Sequence, residues 1–448
     1  MHKPKLAALL LCLVSQGVII GGPGAFAAEN TPPTHLSQGL DQIFNKGAFW
    51  GKQVQLAWEN GGDAYTILEP VSGGKGTDIV AYDTATGKRS VQISAAQLTP
   101  AGAKEPIQIW DYSWSMDGKK LLVFTNAKKV WREFTRGDYW VYDSSIAAPE
   151  DRLIKLGGDA PESSLMFATF SPDGTHVAWV RANNIYVEEL ATKKITQLTS
   201  DGSADIINGT SDWVNEEELF LRNCIRWSPD GKSIAATVLD PGSQNLGRVV
   251  LLNPESGKEK TVYAGTAILH KPVWTPDGKF VVYRSAQGIS GTRADGGGKP
   301  QPLTLSKDLQ FPTSFSPDGK RLAFHQDGIQ GFDLWTVSIE RDGDELKAGT
   351  PELFLGTPFA ERDASFSSTV AGWDTTPTSR VFPRFMCVRF QTKAAAGKSP
   401  TPVEPHPSSV ATDESCFFIA SLTIGSWWRV IRSRVARSWW ENRGCGQT

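Results

Sequence analysis

The sequence is short of three features that would assign it at once to a functional class. Its 448 residues carry 46 Lys and Arg against 48 Asp and Glu, and without an excess of positive charge nothing argues for a nucleic acid partner. Beyond the first 27 residues, no apolar run is long enough to cross a membrane. Cysteine is scarce, with five residues, and none has the spacing of a zinc site. We therefore expect no nucleic acid partner and no membrane span in the mature protein.

Three catalytic signatures are absent as well. No G-x-S-x-G elbow occurs anywhere, and the six histidines include no H-E-x-x-H pair and lie beside no candidate nucleophile. Gly296-Gly297-Gly298 lacks the Lys-Ser/Thr that completes a phosphate-binding loop, so we interpret it as a hairpin tip. The sequence therefore predicts no catalytic residue, no metal and no cofactor for this chain.

The N-terminus has the form of a secretory signal. Residues 2–5 are basic, residues 6–18 are mostly apolar, and Ala25-Phe26-Ala27 forms a small-x-small cleavage site before Ala28. The apolar stretch is too short, and too interrupted by glycine, for a membrane span. We expect residues 1–27 to be removed and the mature protein to be periplasmic or secreted.

A four-residue turn motif recurs through the chain. Its Asp positions are separated by 56, 57, 47 and 41 residues, a period typical of solenoids, propellers or arrays. In this motif Pro presets φ at the first corner, Asp can bond its own backbone and Gly accepts a positive φ. The five copies are Ser115-Met116-Asp117-Gly118, Ser171-Pro172-Asp173-Gly174, Ser228-Pro229-Asp230-Gly231, Thr275-Pro276-Asp277-Gly278 and Ser316-Pro317-Asp318-Gly319.

The flanks of the motif indicate what each copy joins. An aromatic residue precedes every copy and a short apolar run follows, which predicts a tight hairpin between two strands. A second strand pair follows in several units, as at residues 184–190 and 193–198. Four strands in about 40–50 residues is the content of one propeller blade. The fold class predicted is all-β, a β-propeller; the alternative is a β-sandwich with chance turns.

The repeats suggest a division of the chain. Residues 28–50 are a leader with one helical candidate, Leu36–Phe44, and residues 51–367 are the propeller. Its first blade, at residues 52–100, lacks the turn motif, whereas the next five carry it. We expect about six intact four-stranded blades of an original seven or eight.

The last 81 residues, 368–448, do not continue the pattern. Residues 362–367 should lead into another turn, but the motif is missing, and ten Lys and Arg face five Asp and Glu over residues 367–448. One interpretation is a disordered basic tail. The other is a reading-frame slip near Ser367, because a shifted frame across 367–376 and 411–418 permits two further turns and strands. Either interpretation makes residues 368–448 an aberrant tail.

Two segments depart from the blade pattern. In Asp212-Trp213-Val214-Asn215-Glu216-Glu217-Glu218-Leu219, adjacent carboxylates repel one another, but in an extended or single-turn segment two of them can converge on one ammonium group. The alternative is a solvated acidic turn. In residues 130–143, Arg132 beside bulky aromatics can present its planar fork to a carbonyl or carboxylate. The alternative there is an exposed strand Arg stacked on Trp131.

Together these two segments, over roughly residues 36–235, resemble the N-terminal propeller of the dipeptidyl peptidase IV family. In that family a D-W-V-Y-E-E-E segment supplies two Glu that hold the free N-terminus of a peptide, and a W-R segment supplies an Arg that contacts a substrate carbonyl. The resemblance implies that Glu217 and Glu218 bind the amine and that Arg132 contacts the carbonyl. Asn215 stands where the family usually has Tyr.

From about residue 235 to 367 the turn units resemble TolB-type, WD40-like propeller repeats. The family's peptidases carry their catalytic triad in a C-terminal α/β-hydrolase domain, for which 81 residues are too few, so the chain is expected to be inactive alone. Two functions remain open. One is the substrate-binding propeller of a serine exopeptidase that binds peptides with a free N-terminus. The other is a non-enzymatic, TolB-like propeller that binds protein partners.

Overall fold

A computed structural model describes residues 37–39, 41–42, 46, 56–59, 63–219, 221–240, 247–265, 270–328, 331–356 and 360–366, and the strands at 385–391, 415–420 and 429–430. The chain divides into two units, Met1–Val54 and Gln55–Thr448. In the first unit residues 37–39 are helical, within the predicted helix, and the Lys46 ammonium lies 2.9 Å from the Asp41 carboxylate. The predicted signal peptide lies outside the described residues.

The second unit is built from antiparallel sheets that follow one another along the chain. The first sheet is blade 1, and an eight-stranded sheet forms blades 2 and 3, joined where Gly137 pairs with Leu165. The strands of blade 1 are β1 (Leu56–Trp58), β2 (Ala64–Pro70), β3 (Thr77–Asp83) and β4 (Arg89–Ile93). Those of blade 2 are β5 (Asp111–Trp114), β6 (Lys120–Lys129), β7 (Phe134–Asp143) and β8 (Leu153–Lys155). Those of blade 3 are β9 (Leu165–Phe170), β10 (His176–Arg181), β11 (Asn184–Glu189) and β12 (Ile195–Gln197).

The remaining sheets continue in the same order. Blade 4 contains β13 (Ile207–Asn208), β14 (Ile225–Trp227), β15 (Ile234–Leu239), β16 (Gly247–Leu252) and β17 (Glu259–Gly265). Blade 5 contains β18 (Val273–Trp274), β19 (Phe280–Ser285), β20 (Gly288–Arg293) and β21 (Gln301–Pro302). Blade 6 contains β22 (Gln310–Phe315), β23 (Arg321–Gly328), β24 (Gly331–Asp342), β25 (Glu345–Ala348) and β26 (Glu352–Leu355). A last sheet pairs β27 (Ala360–Phe366), β28 (Phe385–Gln391), β29 (Ser415–Ala420) and β30 (Arg429–Val430). In this second unit, short 3₁₀ helices span Ala95–Leu98 and Pro149–Asp151, and the helix α1 spans Trp213–Leu219.

This architecture is a β-propeller, as the repeats predicted. Six blades are complete between residues 56 and 355, and each turn motif joins the strand before it to the next strand of its blade, as β14 to β15 in blade 4. Blade 1 lies within the predicted residues 52–100 and lacks the motif. Most of the tail predicted to be disordered or frame-shifted, residues 368–448, lies outside the described residues. The parts of it that are described are β28, β29 and β30, which extend the sheet that β27 begins.

The five motif turns share one hydrogen-bond pattern. In each, the Ser or Thr hydroxyl donates to the Asp carboxylate over 2.6–2.7 Å. The same hydroxyl accepts the amide that opens the second strand, at 2.9–3.0 Å. The motif Gly has φ between 66 and 70°, a region that Gly enters without steric cost. The motif is therefore a self-contained turn whose geometry follows from local chemistry.

The motif also connects neighbouring blades. The indole N–H of Trp227 donates to the carbonyl of Thr169 at 3.3 Å, and that of Trp274 donates to the carbonyl of Arg226 at 3.0 Å. A Cβ built on Gly278 would lie 3.6 Å from Pro229 Cδ of the preceding turn. Successive motif turns therefore stack, and the aromatic residue before each turn contributes to packing between blades.

The core lies between the sheets rather than inside any one of them. Successive residues of a strand point to opposite faces, so Ala235 packs towards blade 5 whereas Ile234 and Ala236 pack towards blade 3. Each gap between consecutive sheets of the described part has its own apolar cluster, including the gap between blade 6 and β27. Blades 2 to 6 are therefore each stabilised by two neighbours.

The turn chemistry gives a first prediction. We expect Ser228→Ala to lower the free energy of unfolding by about 1–3 kcal/mol, because it leaves a buried turn without the hydroxyl that donates to Asp230 and accepts from Ser233. Ser228→Thr is the matched control, since Thr275 makes the same bonds in blade 5. Urea unfolding of both variants measures the difference. Equal stabilities of the Ala and Thr variants would show that the hydroxyl contributes nothing.

Candidate functional site

Blade 2 carries an unusually long hairpin. β6 and β7 each have ten residues, and their tip is the turn Val130–Glu133, in which the Val130 amide donates to the Glu133 carbonyl at 3.0 Å. The ladder shifts register between Thr125 and Lys128, which separates the outer half of the hairpin from the blade proper. Arg132 lies at this tip, not in a strand, and its side chain is 70% exposed.

The base of the hairpin is held in place by a buried carboxylate. Asp138, on β7, accepts hydrogen bonds of 2.7 Å from both the Asn126 side-chain amide and the Ser163 backbone amide. The Ser163 hydroxyl in turn donates to the carbonyl of Asn126 at 2.8 Å. Asn126 and Ser163 both have positive φ, so these bonds hold a backbone shape that L-residues rarely adopt. The tip is thus presented from a rigid base.

Blade 4 contains an insertion in its first strand. β13 and β14 both pair with β15, one against Val238 and Leu239 and the other against residues 234–236, so residues 209–224 interrupt one strand position. The Cys224 amide donates to the carbonyl of Gly209 at 3.0 Å, which brings the two ends of the insertion together. Cys224 is a buried free thiol, and burial raises its pKa to about 12. The insertion therefore leaves the sheet and returns to it without disrupting the blade.

Helix α1 occupies this insertion and carries the acidic motif. Asp212 precedes the helix, and its carboxylate accepts the Asn215 amide at 2.8 Å, the bond of an N-cap. The sequence had suggested an extended or single-turn segment, and α1 is instead seven residues long. The cap and the run of Glu, a good helix former, account for the difference. Asn215 also donates from its side chain to Asp212 at 2.9 Å.

The structure brings the hairpin tip and α1 together. Arg132 forms an ion pair with Glu217 Oε1, and Glu133 accepts a hydrogen bond of 2.8 Å from Arg222, which follows the helix. Two of the three predicted site residues therefore meet, although 85 positions separate them in the sequence. Glu218 lies in α1, and its side chain is outside the described residues.

The charges on the hairpin tip and on the α1 insertion favour the binding of a cation. Glu216 is 5% exposed; burial, and secondarily the nearby Glu133 carboxylate, raise its pKa, while Arg222 opposes the rise. Glu217 Oε2 is buried and has no hydrogen-bond partner among the described residues. The described side chains Glu133, Glu216 and Glu217 outnumber the two guanidinium groups, Arg132 and Arg222. A buried carboxylate oxygen without a donor is costly, and an incoming ammonium can supply the missing bond.

A cavity of about 260 Å³ opens beside the base of the hairpin. It is lined by Phe134 and Thr135 of β7, by Phe167 of β9 and by Asn223, the neighbour of Arg222. Trp110 and Phe134 are exposed and their rings lie 4.5 Å apart, centroid to centroid. The site therefore combines a charged rim with an aromatic recess.

Sequence reasoning missed three charged members of this site. Glu133, Glu216 and Arg222 complete its network, yet only their proximity in sequence to Arg132 and Glu217 could have indicated them. Within the described part of the chain, no group of three or more His, Cys, Asp or Glu side chains could hold a metal ion. Nor does any helix there have the length and apolar character that a bilayer span requires.

Part of the chain matches a known protein family. Residues 115–264 match the model of the dipeptidyl peptidase IV (DPP IV) N-terminal region, a range that contains both the hairpin and the insertion. A probable dipeptidyl-aminopeptidase B from Tuber melanosporum is 32% identical over 360 residues, which is 75% of this chain and 36% of that protein. The chain spans between 22% and 36% of the length of the curated relatives it matches.

Solved structures also match the chain. Porphyromonas gingivalis dipeptidyl peptidase 4 is 17% identical, with a TM-score of 0.49 over 89% of this chain and 63% of that one. A putative TolB from Agrobacterium tumefaciens is 19% identical, with a TM-score of 0.33 over 61% of this chain and 87% of that one. Residues 115–264 are thus similar to the dipeptidyl peptidase IV N-terminal region, and the curated proteins to which the chain is similar include probable dipeptidyl-aminopeptidases.

Proposed function

We propose that this protein is the substrate-binding propeller of an exported serine exopeptidase, and that it binds peptides through their free α-amino group. The observation that carries the proposal is the meeting of Arg132 with Glu217, two residues from different blades. Each belongs to a segment whose motif, in the dipeptidyl peptidase IV family, contacts the substrate. Export is proposed from the signal-like residues 1–27.

The geometry supports separate roles for the two partners. Glu217 uses Oε1 for Arg132 and leaves Oε2 without a donor among the described residues. Arg132 is the more exposed side chain of the pair, so it is the one free to turn towards a peptide carbonyl. A peptide ammonium then takes its place beside Glu217, and Glu218, the next residue in α1, is the second carboxylate of the proposed site.

The Glu133–Arg222 pair has a positioning role in this proposal. It connects the hairpin tip to the end of the α1 insertion at 2.8 Å, independently of the residues proposed to bind the peptide. Because it remains when a ligand displaces Arg132 from Glu217, the two segments stay close during binding. The buried Glu216 lies near the same pair and adds negative charge behind the site whenever it is ionised.

Binding of an unblocked tripeptide tests the proposal. We expect Glu217→Gln combined with Glu218→Gln to weaken binding of Ala-Ala-Ala at least tenfold, because each charge-assisted hydrogen bond contributes about 1.5–3 kcal/mol. Isothermal titration calorimetry on the full chain measures the affinity. Glu255→Gln is the matched control, since Glu255 is an exposed carboxylate in the turn between β16 and β17 and should leave binding unchanged.

Two results would contradict the amine site. One is an unchanged affinity in the double variant, and the other is equal binding of N-acetylated Ala-Ala-Ala, which has no ammonium. If the wild-type chain instead binds neither peptide but captures protein partners, the non-enzymatic binding propeller becomes the better description.

A further inference from the structure

A second cavity, of about 220 Å³, is lined by residues of blades 4, 5 and 6 and of β27. None of the charged residues of the candidate site lines it. Four strands contribute to its walls, or the residues just before them do: Arg226 of β14, Lys271 before β18, Thr313 of β22 and Asp363 of β27. Because β22 contacts both β18 and β27, these strands enclose a common space.

The charges that line this cavity leave it net positive. Arg226 and Lys271 contribute two positive charges and Asp363 contributes one negative charge. Arg226 is oriented by its own backbone, since its Nη1 donates to the carbonyl of Ile225 at 2.6 Å. Burial lowers the pKa of Arg226, and the Asp363 carboxylate partly opposes this shift. A further anion beside Arg226 would therefore be stabilising. One net positive charge matches one singly charged anion.

A buried histidine supplies an independent indication of a ligand. His270 lines the cavity and is 4% exposed, yet its Nδ1 has no hydrogen-bond partner among the described residues. Its ring packs against aromatic rings, 5.0 Å from Phe311 and 5.6 Å from His325, centroid to centroid. A buried polar atom in such a place normally has a partner, and a ligand in the cavity can provide one.

We propose that this cavity binds a single carboxylate group, held by the Arg226 guanidinium and the Lys271 ammonium and hydrogen bonded by His270. A planar guanidinium matches the two oxygens of a carboxylate, and Lys adds a compact second charge. A monoanion fits better than a dianion, because Asp363 already neutralises one of the two cations. The cavity is below the roughly 300 Å³ at which drug-sized pockets begin, so it admits a small acid or a chain end.

Thermal unfolding of the full chain with sodium acetate tests the carboxylate site. At pH 7 and constant ionic strength, acetate at about ten times its dissociation constant should raise the melting temperature by about 2 °C over sodium chloride. Lys271→Gln should abolish this rise, and Lys279→Gln, an exposed lysine in the turn before β19, should keep it. An equal rise in Lys271→Gln, or an equal rise in wild type with sulfate, would overturn the proposal.

A second variant covers the case in which Lys271→Gln fails to fold. Arg226→Lys keeps the charge but loses the planar fork, so acetate affinity should fall about tenfold. Affinity equal to wild type would again overturn the proposal.

Two peptides distinguish the sources of the carboxylate. N-acetyl-Ala-Ala with a free C-terminus and its C-terminal amide both lack an ammonium, so neither depends on Glu217 and the amine site can fail separately. Binding of the free acid but not the amide assigns the cavity to peptide C-termini. Binding of acetate alone assigns it to small carboxylic acids, and binding of neither acetate nor the free acid overturns the proposal.

Discussion

Phe324→Ala is expected to lower the free energy of unfolding by about 3–5 kcal/mol. Phe324 lies on β23 with no exposed surface, in the cluster between blades 5 and 6 that also contains Phe280 and Val337. Removing its ring costs the transfer free energy of the lost atoms and leaves a cavity between two sheets that cannot close without displacing both. Urea unfolding followed by tryptophan fluorescence measures the change.

A second phenylalanine provides the control for this prediction. Phe134 is 41% exposed on β7, so Phe134→Ala should cost far less than the buried substitution. Similar losses in the two variants would mean that the packing between blades does not control stability. A loss below about 1 kcal/mol for Phe324→Ala would contradict the prediction directly.

The second large effect is a loss of stability as the pH falls from 7 to 5. Burial, with a smaller contribution from Arg362 and Lys271, lowers the pKa of His325 to about 3, against the opposing Asp363 carboxylate. Burial also lowers the pKa of His270 well below its usual value, assisted by His325 and nearby cations. His325 is therefore neutral in the folded protein at pH 5, and His270 resists protonation, whereas an unfolded chain takes up their protons below about pH 6.5.

The direction of the effect follows from this difference in protonation. At pH values between the folded and the unfolded pKa, the unfolded state binds more protons than the folded state. Lowering the pH through this range therefore favours unfolding. For His325 the loss is about 2 kcal/mol at pH 5, and it stops growing near pH 3. Between pH 7 and 8 these histidines contribute little change, because they are mostly neutral in both states.

His325→Gln isolates the histidine contribution. This variant cannot titrate, so its stability should fall by about 2 kcal/mol less than that of wild type between pH 7 and 5. Chemical unfolding at half-unit steps of pH gives both curves, and pH 7 to 8 serves as the internal control. Identical curves for the variant and wild type would show that His325 is not held neutral.

The turns show how much of the fold could be predicted from the sequence. In the motif at Ser228, the Ser hydroxyl bonds to the Asp230 carboxylate and to the Ser233 amide, and Gly231 has a positive φ. All of these features lie within six residues. Because these contacts are local, they recur wherever the motif recurs, and their spacing predicted the blades. Blade 1, which was predicted without the motif, also has a locally bonded turn, in which the Gly87 amide donates to the Asp83 carbonyl at 2.9 Å.

The candidate site was only partly predictable. The acidic and W-R motifs led to the prediction of Glu217, Glu218 and Arg132 as site residues through a family resemblance, and nothing in their spacing placed Arg132 against Glu217. The extended or single-turn conformation predicted for the acidic segment was wrong, because the Asp212 cap and the helix propensity of Glu favour the seven-residue helix α1. Arg222 and Glu133 received no role, since neither pairs with a residue near it in sequence.

The sequence by itself determined the repeating unit of this protein. This unit consists of turns held by hydrogen bonds among their own residues and of strands that carry apolar residues on both faces. These features depend on contacts within a few residues, so each blade specifies its own shape. Only the tertiary structure decided which distant groups meet, namely the hairpin tip with α1, and Arg226 and Lys271 with His270 around one cavity. The reason is that such contacts depend on the angle and offset between successive sheets. These are set jointly by the packing of side chains at all the interfaces between blades.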